Sequence, residues 1–162
     1  MRIALTRARM LALALVVTGV TGVMAVSAMS ANSQSVVKVT KSAKLHTSIL
    51  VNRQGHTLYS LSAETHGRFI CTDKGCLSIW KPLVVARGTK PAGAANLATI
   101  KRPDGRIQVT YRGLPLYSFA EDTKAGDTKG NGFKDVGTWR VAAIGKAAPA
   151  APPTGGYGGY GG

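Results

Sequence analysis

The sequence predicts a mostly β protein, a small all-β domain built from two tandem repeats of antiparallel strands and followed by a disordered tail. Three observations carry that reading. Residues 113–122, GLPLYSFAED, have a diluted copy in residues 55–64, GHTLYSLSAE: Gly55 falls on Gly113, Leu58 on Leu116, Tyr59 on Tyr117, Ser60 on Ser118, Leu61 on Phe119 and Glu64 on Asp122. Each copy is followed by a tryptophan that opens an apolar run, Trp80 in WKPLVV and Trp139 in WRVAAI, with one inserted residue in the second copy. Beyond the N-terminal apolar run no stretch sustains helical periodicity for three turns, whereas period-two alternation recurs. A repeat of this length is one supersecondary unit with an apolar face to bury against its neighbour. Repeat one, about residues 45–86, and repeat two, about 96–145, are therefore expected to share one domain over 32–145.

At the start of the chain, Arg2, Arg7 and Arg9 precede an uncharged apolar run over 10–26, and Val26-Ser27-Ala28 offers the small residues that a signal peptidase reads. Residues 1–28 are thus expected to be a cleaved secretory signal, with a second cut available after Ala31. The apolar run only just approaches a bilayer span, and the polar NSQS after it favours cleavage over retention as a transmembrane anchor. No cysteine stands near either cut, so no lipid attachment is expected. The product is a secreted, periplasmic or cell-surface protein. All four methionines lie before Ala31, which argues against a thioether copper site.

Residues 35–44, SVVKVTKSAK, alternate as a first strand, 48–51 follow as a second, 52–55 turn, and 57–61 form a third with Tyr59 and Leu61 on one face. After a turn-rich 64–67 come Cys71, a tight loop and Cys76, then a strand over 80–85 that Pro82 places at an edge or strand start. Residues 86–95, ARGTKPAGAA, read as a connector. Residues 97–101 and 106–111 flank Pro103-Asp104-Gly105, whose Asp-Gly suits a tight hairpin. In the latter strand Gln108 and Thr110 alternate with Ile107, Val109 and Tyr111, as on a half-buried strand. Strands over 116–119 and 139–144 complete the domain. From Lys146 the composition turns to Ala and Pro, then to GGYGGYGG, and residues 146–162 cannot bury enough apolar side chain to offset their backbone entropy.

On Tyr117, Phe119 and Asp122, which spell Tyr-x-aromatic-x-x-Asp, the chain resembles a family of bacterial secreted repeats, described as predicted lipoproteins, that this motif defines. Residues 105–119 and the segment from Trp139 look like the family's second repeat. The first copy departs from the motif, with Leu61 for the aromatic residue and Glu64 for the aspartate, while Cys71, Cys76, Trp80 and Pro82 look like the family's paired cysteines before a Trp-Pro segment. The resemblance covers about residues 48–144 and implies an exported repeat module; it implies no activity, the family's biochemical role being unassigned.

Several constellations bear on chemistry. Cys71 and Cys76 enclose Thr-Asp-Lys-Gly in an exported chain without a third cysteine, which makes a disulfide the default. A redox pair is the alternative, although the spacing is not that of thioredoxin-like sites, no helix start is evident, and no haem-attachment motif is present. His46, His56 and His66 recur at ten-residue intervals, and His56 and His66 are candidate metal ligands. Asp122, Asp127, Asn131 and Asp135, set among Gly126, Gly130 and Gly132, offer oxygen ligands to a hard cation, against the opposing charge of Lys124, Lys129 and Lys134. In the competing role Asp122, like Glu64 in the other copy, accepts backbone N–H groups and fixes the chain's exit from the tyrosine strand. There is no nucleophile elbow, and neither catalytic residues nor a cofactor is expected.

The chain carries 21 Lys+Arg against 7 Asp+Glu; less the leader's Arg2, Arg7 and Arg9, that leaves 18 against 7, near +11. The bases are spread singly, as on a solvated face, yet a basic exported surface draws anionic partners. The expected function is a non-catalytic envelope or extracellular module that binds an anionic envelope polymer or lipid head groups, through residues such as Lys101, Arg102, Arg106 and Arg112, and not a specific nucleic acid. Self-association through an open sheet edge stays open. A metal-binding or redox accessory protein of the envelope is the other reading. Tyr59, Trp80, Tyr117, Phe119 and Trp139 are expected to build the repeated core, with an exposed aromatic patch as a second use.

Overall fold

The computed structural model describes residues 33–145 apart from His66; the signal-peptide and tail expectations lie outside the described residues. The chain is mostly β. Strand β1 (Ser33–Ser35) leads into a hairpin of β2 (Val37–Ser42) and β3 (Thr47–Asn52), whose register runs from Val37 opposite Asn52 to Ser42 opposite Thr47. The Asn52 side chain accepts the N–H groups of Gln54 and His56, closing the expected turn, and β4 (Leu58–Leu61) carries the first motif tyrosine.

Where a tight loop was expected between the cysteines there is a helix, α1 (Lys74–Ile79). Its six residues are too few to show a periodicity in sequence, and its start is set by Asp73, whose Oδ1 accepts the Cys76 N–H at 3.0 Å. The strand expected over 80–85 is also two, β5 (Trp80–Pro82) and β6 (Val84–Val85), in different sheets. Leu83 forms the crossing: its N–H donates to Leu116 at 2.9 Å and its carbonyl accepts from Val109 at 2.8 Å. Nor is the connector strand-free, since β7 (Lys90–Ala92) pairs in parallel with β1. Gly93 ends that pairing at φ +114, where an added Cβ would meet the Val37 carbonyl oxygen at 1.7 Å, so only glycine fits. The rest of the chain supplies β8 (Leu97–Lys101), β9 (Ile107–Tyr111), β10 (Leu114–Pro115), β11 (Tyr117–Phe119) and β12 (Trp139–Val141).

Two four-stranded sheets carry the architecture. One has the order β12-β4-β11-β5, all antiparallel; in the other, β9 pairs with β8 on one side and with β10 and β6 on the other. The first sheet is buried over one whole face and over part of the other. Tyr59, Leu61, Tyr117, Phe119, Trp80, Trp139 and Val141 point into one apolar cluster, while Leu58 and Leu116 point into a second with Val37, Leu50, Val109 and Tyr111. Central placement also overturns the half-buried reading of β9: Gln108 is fully buried and Thr110 nearly so. The buried amide is tolerated because it is paired, its Oε1 to Arg102 and its Nε2 to the Leu116 carbonyl at 2.7 Å.

Candidate functional site

The motif residues meet in the first sheet. Tyr117 lies directly across from Tyr59 on one side and from Pro82 on the other, Phe119 lies across from Trp80, and Trp139 across from Leu61. The two tryptophans that follow the two motif copies stack on each other, with centroids 3.8 Å apart and planes 6° from parallel. Each also receives the edge of a motif tyrosine, Tyr59 on Trp80 at 5.4 Å and Tyr117 on Trp139 at 5.2 Å. Trp80 and Trp139 are 1% and 0% exposed, so they are core and not a surface patch, as are both tyrosines and Phe119. Gly130 backs this cluster, where an added Cβ would come within 2.7 Å of the Trp80 ring.

Each tyrosine hydroxyl is bound by the acid of the other copy. Tyr59 donates to Asp122 Oδ2 at 2.5 Å, and Tyr117 donates to Glu64 Oε2 at 2.8 Å. The remaining carboxylate oxygens do what the competing role required: Asp122 Oδ1 accepts the Lys129 N–H at 3.0 Å, and Glu64 Oε1 accepts the Ile70 and Cys71 N–H groups at 2.8 Å each. No motif tyrosine bonds its own motif's acid. The two motif segments, 55–64 and 113–122, are therefore locked to each other at the point where the chain leaves the sheet.

Arg102 completes the Glu64 clasp. Its side chain is wholly buried, unlike the contact residue expected at the surface, and donates to Tyr117 Oη at 3.0 Å, to the Cys71 carbonyl at 2.7 Å and to Gln108, with the Phe69 ring 4.9 Å below the guanidinium. Glu64 and Arg102 thus face each other through one phenol in the buried interior. Burial first, and then the Glu64 charge, push the Tyr117 hydroxyl well above the ordinary tyrosine range. Nothing in the sequence distinguished Arg102 from Arg106, which does lie at the surface and is held with Asp104 at 2.7 Å.

The Asp122 clasp has no buried cation. Burial raises the Asp122 carboxyl above its usual value, and the Tyr59 hydroxyl and Lys129 N–H only partly offset this. The folded state therefore holds the Asp122 proton more tightly than the unfolded chain does. This group's contribution to stability is full below the unfolded carboxylate pKa and falls as pH rises through the folded one. Asp122→Asn should accordingly cost less at pH 7 than at pH 3, as read from urea midpoints at the two pH values; a cost that grows with pH would contradict the burial argument.

Cys71 and Cys76 form a disulfide. It ties the first turn of α1 to the residue whose N–H and C=O serve Glu64 and Arg102, so it braces the clasp. Replacing both cysteines by serine should lower stability by about 2–3 kcal/mol relative to the oxidised protein, measured by denaturant unfolding against the wild type.

The candidate metal ligands are spread over separate hydrogen bonds. Asp127 accepts the Lys124 N–H, Asn131 accepts the Val141 N–H, and Asp135 accepts the Trp139 indole N–H, each at 3.0–3.1 Å. His46 sits exposed in the β2–β3 turn, His56 bonds the Asp122 backbone carbonyl through Nδ1, and His66 lies outside the described residues. Among the described residues no three His, Cys, Asp or Glu side chains converge as a metal site would require, and no helix is long and apolar enough to cross a membrane.

Residues 98–143, from within β8 to just past β12, match the model of a family described as a secreted repeat of unknown function, in agreement with the resemblance carried by Tyr117, Phe119 and Asp122. No curated protein and no solved structure matches the chain. The matched stretch contains Tyr117 and Asp122, whose partners Glu64 and Tyr59 both lie before it.

Proposed function

We propose, for a chain whose residues 98–143 match a secreted repeat, that it is a non-catalytic module of the envelope or extracellular space that binds an anionic surface component. One observation carries this reading: most of the acids are engaged by the chain's own groups while most of the bases face out. Glu64 and Asp122 are buried; Asp73 caps α1; Asp104 is held by two arginines; Asp127 lies 3.5 Å from Lys129; Asp135 holds the Trp139 indole. Every lysine among the described residues is exposed. A field of one sign over a small domain attracts polyanions. The motif itself, being enclosed and fully hydrogen-bonded, supports a scaffolding role and offers no group to a substrate.

The test is retention of the exported chain on isolated envelope material over a salt series. Retention should fall steeply as the screening length drops from about 10 Å at 0.1 M salt to about 3 Å at 1 M. Charge reversal at Lys101 and Arg112 should weaken it further, whereas Arg102 and Arg106 are unsuitable probes, the first buried and the second neutralised by Asp104. Retention indifferent to both salt and charge would sink the proposal.

A further inference from the structure

We infer that the groove between β12 and the β9–β10 turn is a binding site for a phosphate group carried on a polyol or sugar chain; this rests on the anionic-partner reading and gives it an address. The groove holds about 280 Å³ and is walled by Arg112, Arg140, Ser60, Ser62 and Thr65, over a floor that includes Leu114 and Ala142. None of its lining residues is acidic.

Strand alternation explains how the groove arises. Tyr59 and Leu61 on β4, and Trp139 and Val141 on β12, point into the core, so the intervening Ser60 and Arg140 point the other way, and they are cross-strand partners. Arg140 is half-buried and its guanidinium makes no hydrogen bond or ion pair among the described residues, which leaves the fork to a ligand. Ser62 accepts the Thr138 N–H through Oγ at 2.9 Å, which keeps its O–H proton available.

Arg112 supplies an independent indication. It and Gly113 form the two-residue β9–β10 turn with φ of 50° and 80°, a geometry that favours Asn-Gly because Cβ crowds the backbone carbonyl there. The strained arginine is nevertheless held in place: its guanidinium lies 5.1 Å over the Tyr111 ring and donates to the Gly145 carbonyl at 2.8 Å. Its place in the groove wall sets a second cation in the same cleft as Arg140.

A tetrahedral phosphate presents oxygens in several directions, so guanidinium groups from β12 and from the β9–β10 turn, with several hydroxyls, can address it together, whereas a planar carboxylate is filled by one bidentate fork. The serine and threonine hydroxyls also suit the hydroxyl groups of a polyol or sugar.

Calorimetric titration of the exported chain with short glycerol-phosphate oligomers, oligogalacturonate and uncharged dextran tests the site. Glycerol-phosphate oligomers should bind, and Arg140→Ala should weaken them on the order of tenfold. Arg140→Lys should restore only part of the loss, and Lys81→Ala, which removes the same charge from an exposed position outside the groove, should change affinity less than about twofold. Equal losses in Arg140→Ala and Lys81→Ala would overturn the groove while leaving the general anionic reading intact. Tighter binding of oligogalacturonate would overturn the phosphate assignment. Failure of the folded wild type to bind either anion would overturn both the groove and the proposed function.

Discussion

Arg102→Met is expected to destabilise the protein by about 3–5 kcal/mol, because it removes one partner from a buried charge network and leaves the buried Glu64 uncompensated. The Cys71 carbonyl, Gln108 Oε1 and Tyr117 Oη lose their donor in the same change. For a domain of this size each kcal/mol moves Tm by several degrees, so the melting temperature should fall by roughly 12 °C or more. A second change separates the electrostatic cause from lost packing. Glu64→Gln keeps an oxygen for the Ile70 and Cys71 N–H groups while removing the charge, so Arg102→Met combined with Glu64→Gln should regain part of the loss. A double variant no better than the sum of its singles would show that Glu64 and Arg102 are not coupled.

Trp139→Ala is the second large effect, at about 3–5 kcal/mol for truncating a buried tryptophan. The side chain is fully buried, stacks on Trp80, meets the Tyr117 edge and bonds Asp135, so its removal opens a cavity beneath both motif copies at once. Near-UV circular dichroism should lose most of its tryptophan signal along with the drop in unfolding midpoint. Because Trp80 and Trp139 share one contact, their combined replacement should cost less than the two single costs added. Full additivity would argue that the stack contributes nothing beyond burial.

The swapped clasps give the motif a physical meaning. Tyr, aromatic and acid recur at this spacing because one face of a three-residue strand puts tyrosine and aromatic into the core, and the acid three residues on turns back under the neighbouring copy. Glu64 serves where Asp122 serves because each also has to reach its own loop, Glu64 to Ile70 and Cys71 and Asp122 to Lys129. Leu61 replaces the aromatic at the place where Trp139 lies across from it, and Phe119 faces Trp80 in the other half.

The sequence by itself determined the β class, most strand positions, the cysteine pair and the residues that matter in the motif. These are legible because alternation, turn chemistry and short loop closure act over a few neighbouring residues. Only the tertiary structure decided that Arg102 is buried and Arg106 exposed, that Gln108 belongs to the interior, that 90–92 form a strand, and that each tyrosine bonds the other copy's acid. Each of those depends on a partner far away in the chain: a β7 that exists because β1 lies beside it, a central strand covered on both faces, a long side chain reaching across a turn. Local pattern states what a residue can do; the register between distant strands selects the partner with which it does it.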